Sequence, residues 1–348
     1  MKEIAKASGW SLGTVSRVLS DAPGVNEKAR EEVLQTARRL NYQKNDIASA
    51  LRQKRPEGIF IVVVANGSPI FDQLAFRLKD RLETLGKRVH LLRVQPDQDE
   101  GELTLSQMRQ SMPSAIVFLG TRREKLRKLY GRIPIPAVSV GANLGNWPDT
   151  NLVSFSLPDT EIFQQVTESL FEEGKDEIGV IMNDRFAYSE LADRYLGIQY
   201  ACYSRNRILQ ENEMTTLQPS TYEGGYEGLK QLLAKNGKLN AVLVGNEEQA
   251  IGLLRAAKDL NIVVGQDLVV FAMDLSEASH YSIPRLSGIK RDLDQDVIHI
   301  IATLNDLETK FSNEVERNQE LAWSVEWQDS CWRIETIESL KQKENETI

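Results

Sequence analysis

The feature that most constrains this chain is an alternation that starts at Gly58 and fills most of its length. "GIFIVVVAN", from Gly58 to Asn66, is an unbroken apolar, β-branched run, the composition of a strand buried on both faces. A helical pattern follows from about Phe71 to Gly86. After it come strand-like "RVHLLRV", helical "EGELTLSQMRQS", strand-like "SAIVFLG", helical "REKLRKLYG" and strand-like "IPAVSVGAN". The order resumes with "EIGVIMN", a helix over 188–206, "NAVLVGN", a helix over 247–260 and "DLVVFAM". Such alternation builds parallel sheets from right-handed βαβ crossovers. The segment is long for one sheet, so two doubly wound parallel-sheet halves are expected.

The first 45 residues have a different texture. "KEIAKAS" places Ile4 and Ala5 on one face, and Gly9 can take the positive φ that closes a tight turn. Ser11 stands at an N-cap position ahead of a second helix from Leu12 to Leu19. Asn26 caps a third, in which Ala29, Val33, Ala37 and Leu40 recur at spacings of three and four. "NDIASALRQK" is a further short helical pattern capped by Asn45, and Pro56 ends it. Residues 1–56 hold 11 Lys and Arg against 6 Asp and Glu, whereas the whole chain has a net charge of -8. A basic head on an acidic body suits a polyanion that only the head meets.

Two helices joined through a glycine turn are what a helix-turn-helix requires. Val15 and Val18 form the buried seam of the second helix, which leaves Leu12, Gly13, Ser16 and Arg17 facing out. An arginine there can grip guanine bidentately, and hydroxyls near the helix start suit phosphates. The same spacings fit a plain three-helix bundle with a solvated face.

Other classes find little support. No stretch approaches the 18 or so apolar residues of a membrane span. "MKEIAKASGWS" lacks the apolar core of a secretory signal, so the cytoplasm is the expected location. Cys202 and Cys331 lie far apart in sequence and read as ordinary partly buried thiols. His90, His280 and His299 have no metal spacing, and no G-x-S-x-G, P-loop or H-E-x-x-H occurs. Asp292, Asp294 and Asp296 read as an acidic cluster at a helix start, stabilised by the dipole. No catalytic set, metal or cofactor is therefore expected.

The run "EIAKASGWSLGTVSRVLSDAPGVNEKAREEVLQTARRLNYQKNDIASALRQ" resembles the head of the LacI/GalR family of bacterial transcriptional regulators. The TVSRVL stretch, the capped third helix, the "NY" before the linker and the N-x-x-A-x-x-L linker carry the resemblance. The order of the body resembles that family's sugar-binding-protein-like core. The resemblance implies an all-α helix-turn-helix head at 1–45, a hinge helix and linker at 46–57, and an α/β effector core at 58–330. That core would comprise two doubly wound parallel-sheet subdomains of periplasmic-binding-protein type. One spans about 58–157 and 289–320, the other about 158–288 and 321–330, with a tail at 331–348. The implied function is a regulator of repressor type, allosterically set by a small molecule held between the subdomains.

By the same resemblance, Ser11, Leu12, Gly13, Thr14, Ser16, Arg17, Asn26, Tyr42, Asn45, Ala48 and Leu51 are the DNA-binding set. Leu12 and Gly13 occupy the variable base-reading pair, and Arg17 matches the base-contacting arginine. Gly13 has no side chain, so specificity shifts to Arg17, Ser16 and the linker, with Leu12 able to touch a thymine methyl. Leu51 matches a leucine that wedges into the minor groove, and Ala48 a small residue that permits close approach. The implied partners are a pseudo-palindromic operator, a sugar, sugar phosphate or polyol effector, and a second copy of the chain. Ile334, Ile337 and Leu340 offer only about one apolar repeat at the C-terminal end, so a dimer is expected rather than a tetramer.

In the core, "LADRYLGIQYA" places Arg194 as the family's cleft arginine, "VLVGNEEQAIGLLRA" places Asn246, and "LVVFAMDLSE" places Asp274. Each falls at the C-terminal end of a strand or the start of the next helix, where open α/β sheets bind ligands. Asn246 serves equally well as the N-cap of its helix, and Asp159, at a helix start near the cleft, as an N-cap too. Ser220 and Leu293 stand where sugar-binding members often carry an aromatic platform. Ala65 departs from the pattern after the first strand, while Pro69 and Phe71 keep part of an N-P-F-F stretch. Without a platform, the phosphorylated sugar, polyol, nucleoside and small acid all stay open. The alternative is a cytoplasmic small-molecule-binding protein of the same core fold with no operator.

Overall fold

A computed structural model describes residues 2–19, 24–40, 58–64, 69–95, 98–121, 123–129, 132–141, 143–145, 151–183, 190–207, 215–309 and 315–331. Tyr42, Asn45, Ala48, Leu51, Ala65, the expected hinge helix and residues 332–348 lie outside them. The chain divides into two compact units, Met1–Arg55 and Pro56–Ile348. No helix of the described residues is long and apolar enough to cross a membrane.

The first unit contains α1 (Lys2–Ser8), α2 (Leu12–Leu19) and α3 (Glu27–Arg39). Its core is small: Ile4, Val15, Val18, Val33 and Ala37, flanked by Ala5, Trp10, Leu19 and Val25. The expected α3 stripe holds through Ala37, but Leu40 closes the helix as its C-cap and is 43% exposed.

The second unit follows the expected alternation. Its first half runs β1 (Ile59–Val64), α4 (Pro69–Thr84), β2 (Val89–Val94), α5 (Glu100–Gln110), β3 (Ala115–Leu119), α6 (Arg123–Leu129), β4 (Ala137–Val140) and β5 (Leu152–Ser156). The second half runs α7 (Asp159–Glu172), β6 (Ile178–Asn183), α8 (Glu190–Ser204), β7 (Thr215–Gln218), α9 (Tyr222–Lys235), β8 (Ala241–Val244), α10 (Glu247–Asp259), β9 (Val269–Leu275) and β10 (Ser287–Arg291). Then come α11 (Leu293–Thr309), β11 (Asn318–Glu320) and β12 (Trp323–Glu326).

Two six-stranded sheets result. The first has the order β2-β1-β3-β4-β5-β11, every pair parallel. The second has the order β7-β6-β8-β9-β10-β12, parallel except for β12, which runs antiparallel to β10. Their central strands are apolar on both faces because helices cover both sides, as in Ile61, Val62, Val117 and Phe118.

The chain passes between the sheets three times: ahead of α7, between β10 and α11, and between β11 and β12. The second passage falls later than the 288/289 boundary expected from the sequence. Lys290 and Arg291 still pair with Ser324 and Trp323 of β12, so β10 belongs wholly to the second sheet. The pairing requirement of a buried strand, invisible in local composition, moves the boundary past Arg291.

Close backbone approach fixes the helix layer behind the second sheet. A Cβ on Gly225 of α9 would sit 1.7 Å from the Gln249 carbonyl of α10, and one on Gly252 would sit 1.8 Å from the Tyr222 carbonyl. That crossing sets where α10 starts, and with it the cleft residues Asn246 and Glu247.

Candidate DNA-reading face and ligand cleft

In the head, Gly9 adopts φ +73° and donates its N–H to the Ala5 carbonyl at 3.0 Å, closing α1 so that α2 can begin three residues later. Ser11 accepts from the Thr14 N–H at 3.1 Å, and its hydroxyl lies 2.9 Å from that of Thr14. Ser11 is thus an N-cap with its partner hydroxyl beside it. Val15 and Val18 are buried, which turns Leu12, Gly13 and Arg17 to the exposed face, with Ser16 and Thr14 partly covered. Leu12 is 47% exposed, more than an apolar helix residue would be if the face only packed inward. Asn26 accepts from the Lys28 N–H at 2.9 Å, so its described role is to cap α3. Trp10 donates to Glu32 at 2.8 Å and ties the turn to α3.

In the core, a cavity of about 720 Å³ opens between the two sheets, beyond the C-terminal ends of β9 and β10. Pro69, Ile70, Gln73 and Arg77 of α4 form one wall. Asn246, Glu247 and Glu248 at the start of α10, Asp274 to Glu277 at the end of β9 and just beyond it, and Lys290 to Asp294 form the rest, with His280, Ser324 and Glu326. A small adjoining pocket of about 30 Å³ is bordered by Phe71, Gly141, Leu157, Asp159, Arg194, Gly245, Asn246, Asp274, Arg291 and Leu321. Arg194, Asn246 and Asp274 therefore meet at one place, although up to 80 positions separate them along the chain. Leu293 joins them on the larger cavity's wall. Ser220 does not: it is buried between β7 and α9, borders neither cavity, and its hydroxyl has no hydrogen-bond partner there.

Each residue is held by a distinct local device. Asn246 accepts from the Gln249 N–H at 2.8 Å, so it is the N-cap of α10 as well as part of the wall. Asp274 has φ +57°, a left-handed conformation that is costly for a residue with a Cβ. The pairing of β9 with β10 shifts there: one residue separates Gly288 from Lys290, while two, Met273 and Asp274, separate their partners Ala272 and Leu275. This bulge re-aims Asp274 towards the cavity. Strain of this kind is commonly retained at functional sites.

Arg194 donates from Nε to Asp159 at 2.9 Å and from Nη1 to the Gly245 carbonyl at 3.3 Å, and lies 5.5 Å over the Phe163 ring. Asp159 is not an N-cap. Pro158 occupies that position without a side-chain bond, and the Asp159 carboxylate serves Arg194 instead. Burial pushes the Asp159 carboxyl up from the usual range; Arg194 opposes that and Asp274 adds to it.

A second buried pair escaped the sequence reading. Arg291 Nη2 lies 2.6 Å from Asp296, at side-chain exposures of 3% and 1%. Asp296 also accepts from the Ala322 N–H at 2.9 Å, so one carboxylate touches both the β10–α11 and the β11–β12 passages. The expected acidic cluster thus separates into three jobs. Asp292 caps α11 through the Gln295 N–H, Asp294 pairs with Arg77, and Asp296 is buried in this network.

Comparison with known proteins agrees with this division of the chain. Residues 1–45 match the family described as bacterial regulatory proteins, lacI family, and residues 167–331 match the periplasmic binding protein-like domain. The HTH-type transcriptional regulator RegA of Clostridium saccharobutylicum is 23% identical over 292 residues, covering 84% of this chain and 87% of RegA. Catabolite control protein A of Staphylococcus xylosus is 26% identical over 296 residues, with the same coverage of 84% and 87%. Among solved structures, a complex of the transcriptional regulator CelR with cellobiose superposes with a TM-score of 0.69 at 19% identity, covering 94% of this chain and 98% of that one. The lac repressor dimer bound to operator and the anti-inducer ONPF superposes with a TM-score of 0.68 at 23% identity, covering 95% and 98%. With a lacI-type helix-turn-helix head and a periplasmic-binding-protein-like core, the chain belongs to the lacI family of bacterial regulatory proteins, DNA-binding regulators of transcription.

Proposed function

We propose that the chain is a cytoplasmic repressor that binds a pseudo-palindromic operator as a homodimer, and that a sugar or sugar-derived molecule in the cleft sets its operator affinity. The observation that carries the reading is the cavity of about 720 Å³, with Asp274 held on its wall in a left-handed bulge. A volume in this range suits a small ligand, and a wall with convergent polar groups suits hydroxyls. The relatives support the class of ligand: CelR was solved with cellobiose and the lac repressor with ONPF on its operator.

Arg17, Leu12, Ser16, Ser11 and Thr14 read one half-site from the exposed face of α2, with Tyr42, Asn45, Ala48 and Leu51 completing the DNA-binding set. Asp274 accepts ligand hydroxyls; Arg194, Asn246 and Leu293 shape the same wall. Exposed Tyr281 and Ile283, at 78% and 91%, supply apolar surface to the partner copy. No catalytic role is assigned to these residues. A ligand shifts operator affinity only if it binds two arrangements of the subdomains unequally.

The test is a gel shift with promoter DNA from the neighbouring genes over a salt series, with and without a panel of sugars. A specific, salt-dependent shift that one sugar changes supports the reading. Absence of any specific shift in every ligand state removes it.

A further inference from the structure

Every lysine or arginine among the described residues that borders the cleft is in an ion pair. Arg194 pairs with Asp159, Arg291 with Asp296, Lys290 with Glu326 and Arg77 with Asp294. The two innermost pairs are the buried ones, with side-chain exposures of 10% and 7% for the first and 3% and 1% for the second. Two carboxylates on the same walls, Asp274 and Glu248, make no hydrogen bond or ion pair among the described residues. The described charge of the cleft is thus balanced at its arginines and surplus-negative elsewhere.

That balance has a chemical consequence. Arginine recognises phosphate and carboxylate through an open guanidinium fork. Here each guanidinium charge already faces a buried carboxylate: Arg194 is held by Asp159 and the Gly245 carbonyl, and Arg291 by Asp296 through Nη2 alone. An anion entering the cleft would lose its hydration and face Asp274 and Glu248 with no unpaired lysine or arginine among the described residues to meet it. The Nε–H of Arg291 is buried and finds no acceptor in the protein. A single N–H suits a hydroxyl or ring oxygen, and Asp274 suits hydroxyl or ammonium donors.

Resting on the cleft as the ligand site, we propose that it selects an uncharged or amine-bearing polyol and rejects phosphorylated and acidic counterparts, with Arg291 Nε–H donating to a ligand oxygen. Rejection arises from paired arginines and surplus carboxylates rather than from shape.

The test uses the full-length protein and thermal melting at constant ionic strength. The probes are free sugars, the matching amino sugars, the matching sugar phosphates, and inorganic phosphate. The free or amino form of a sugar should bind at least about ten-fold more tightly than its phosphate ester. Inorganic phosphate should give no saturable rise in melting temperature with the natural chain, and should give one with Asp159→Asn or Asp296→Asn, each of which frees an arginine. Circular dichroism establishes which of the two variants folds, and either one suffices. A sugar phosphate that binds more tightly than its parent, or saturable phosphate binding by the natural chain, overturns the charge assignment but leaves a sugar-responsive regulator standing. No response to any sugar overturns the reading under Proposed function, and the phosphate arm still decides the charge assignment.

Discussion

Arg194 Nε lies 2.9 Å from Asp159 Oδ1 across 35 residues of sequence, and both side chains are nine-tenths or more out of solvent. The pair joins the start of α7, just after the chain enters the second sheet's half, to α8 on the cleft wall. Burial raises the Asp159 carboxyl while the guanidinium holds it down. The balance of the two makes the following variant informative.

Arg194→Met leaves a buried carboxylate without its cation, a change that typically costs about 3–5 kcal/mol. The loss should depend on pH. With Arg194 gone, the folded-state pKa of Asp159 rises further above its unfolded value. Between those two values the folded chain holds the extra proton, so stability falls as pH rises. Denaturant melts should therefore show a larger deficit relative to the natural chain at pH 8 than at pH 5. An equal deficit at both would mean that the carboxylate is not buried against Arg194.

At Asp274 the backbone and the ligand make opposite demands. Glycine removes the Cβ conflict at φ +57°, which for ordinary residues costs of order 1–3 kcal/mol. Asp274→Gly should leave melting temperature equal or raised while abolishing the response of operator binding to sugar. A destabilised variant that keeps its ligand response would contradict both the bulge and the assignment.

Arg17→Ala should erase base preference and spare the fold, since the side chain lies on the exposed face of α2. A bidentate arginine–guanine contact is worth about 1–3 kcal/mol of discrimination. Anisotropy titrations should show specific and non-specific duplexes converging by roughly ten-fold or more, with circular dichroism unchanged. Unaltered discrimination would move the code elsewhere on the head.

Gly252→Ala tests the scaffold behind the cleft. Its added Cβ would overlap the Tyr222 carbonyl at 1.8 Å, and backbone cannot yield as a side chain does. Overpacking of this kind costs about 1–3 kcal/mol, and the shift of α10 should weaken sugar binding as well as stability. An alanine accommodated at no cost in either measurement would show that α9 and α10 do not cross there.

An acid leg of stability is expected from Asp99. The hydrogen bond from Lys125 leads the causes that hold its carboxyl at about 2, below the model-compound 3.8, with backbone N–H groups of α5 assisting. Its contribution is complete above pH 4 and fades as pH falls towards 2. Asp99→Ala should therefore cost about 1 kcal/mol at neutral pH, the usual worth of a cap, and progressively less on acidification. A cost that stays constant down to pH 2 would contradict the ion pair.

Much of this architecture was legible because it is local. Val15 and Val18 announce a helical seam, "IFIVVV" a buried strand, and Asn246 and Asp274 sit at strand ends whose position follows from the alternation. What stayed hidden depends on distance. Nothing near Asp159 shows that Arg194 will reach it, and nothing near Asp296 shows that it will hold Arg291 and the Ala322 N–H together. Both are pairings across a passage between sheets. The left-handed turn at Asp274 likewise comes from a bulge against β10, a property of register rather than of composition. Ser220 shows the reverse failure: its place by resemblance borders the cleft, but the described β7–α9 connection buries it away from both cavities.

Control of operator binding by the cleft is measured by fluorescence anisotropy of an operator duplex selected from a random library by the full-length protein. It should be titrated at fixed salt with and without the sugar that most raises melting temperature. The selected duplex should be pseudo-palindromic, and the sugar should change its affinity by roughly five-fold or more in the natural chain and not at all with Asp274→Asn. An operator affinity that stays the same at saturating sugar, in a protein the sugar demonstrably stabilises, would contradict control by the cleft.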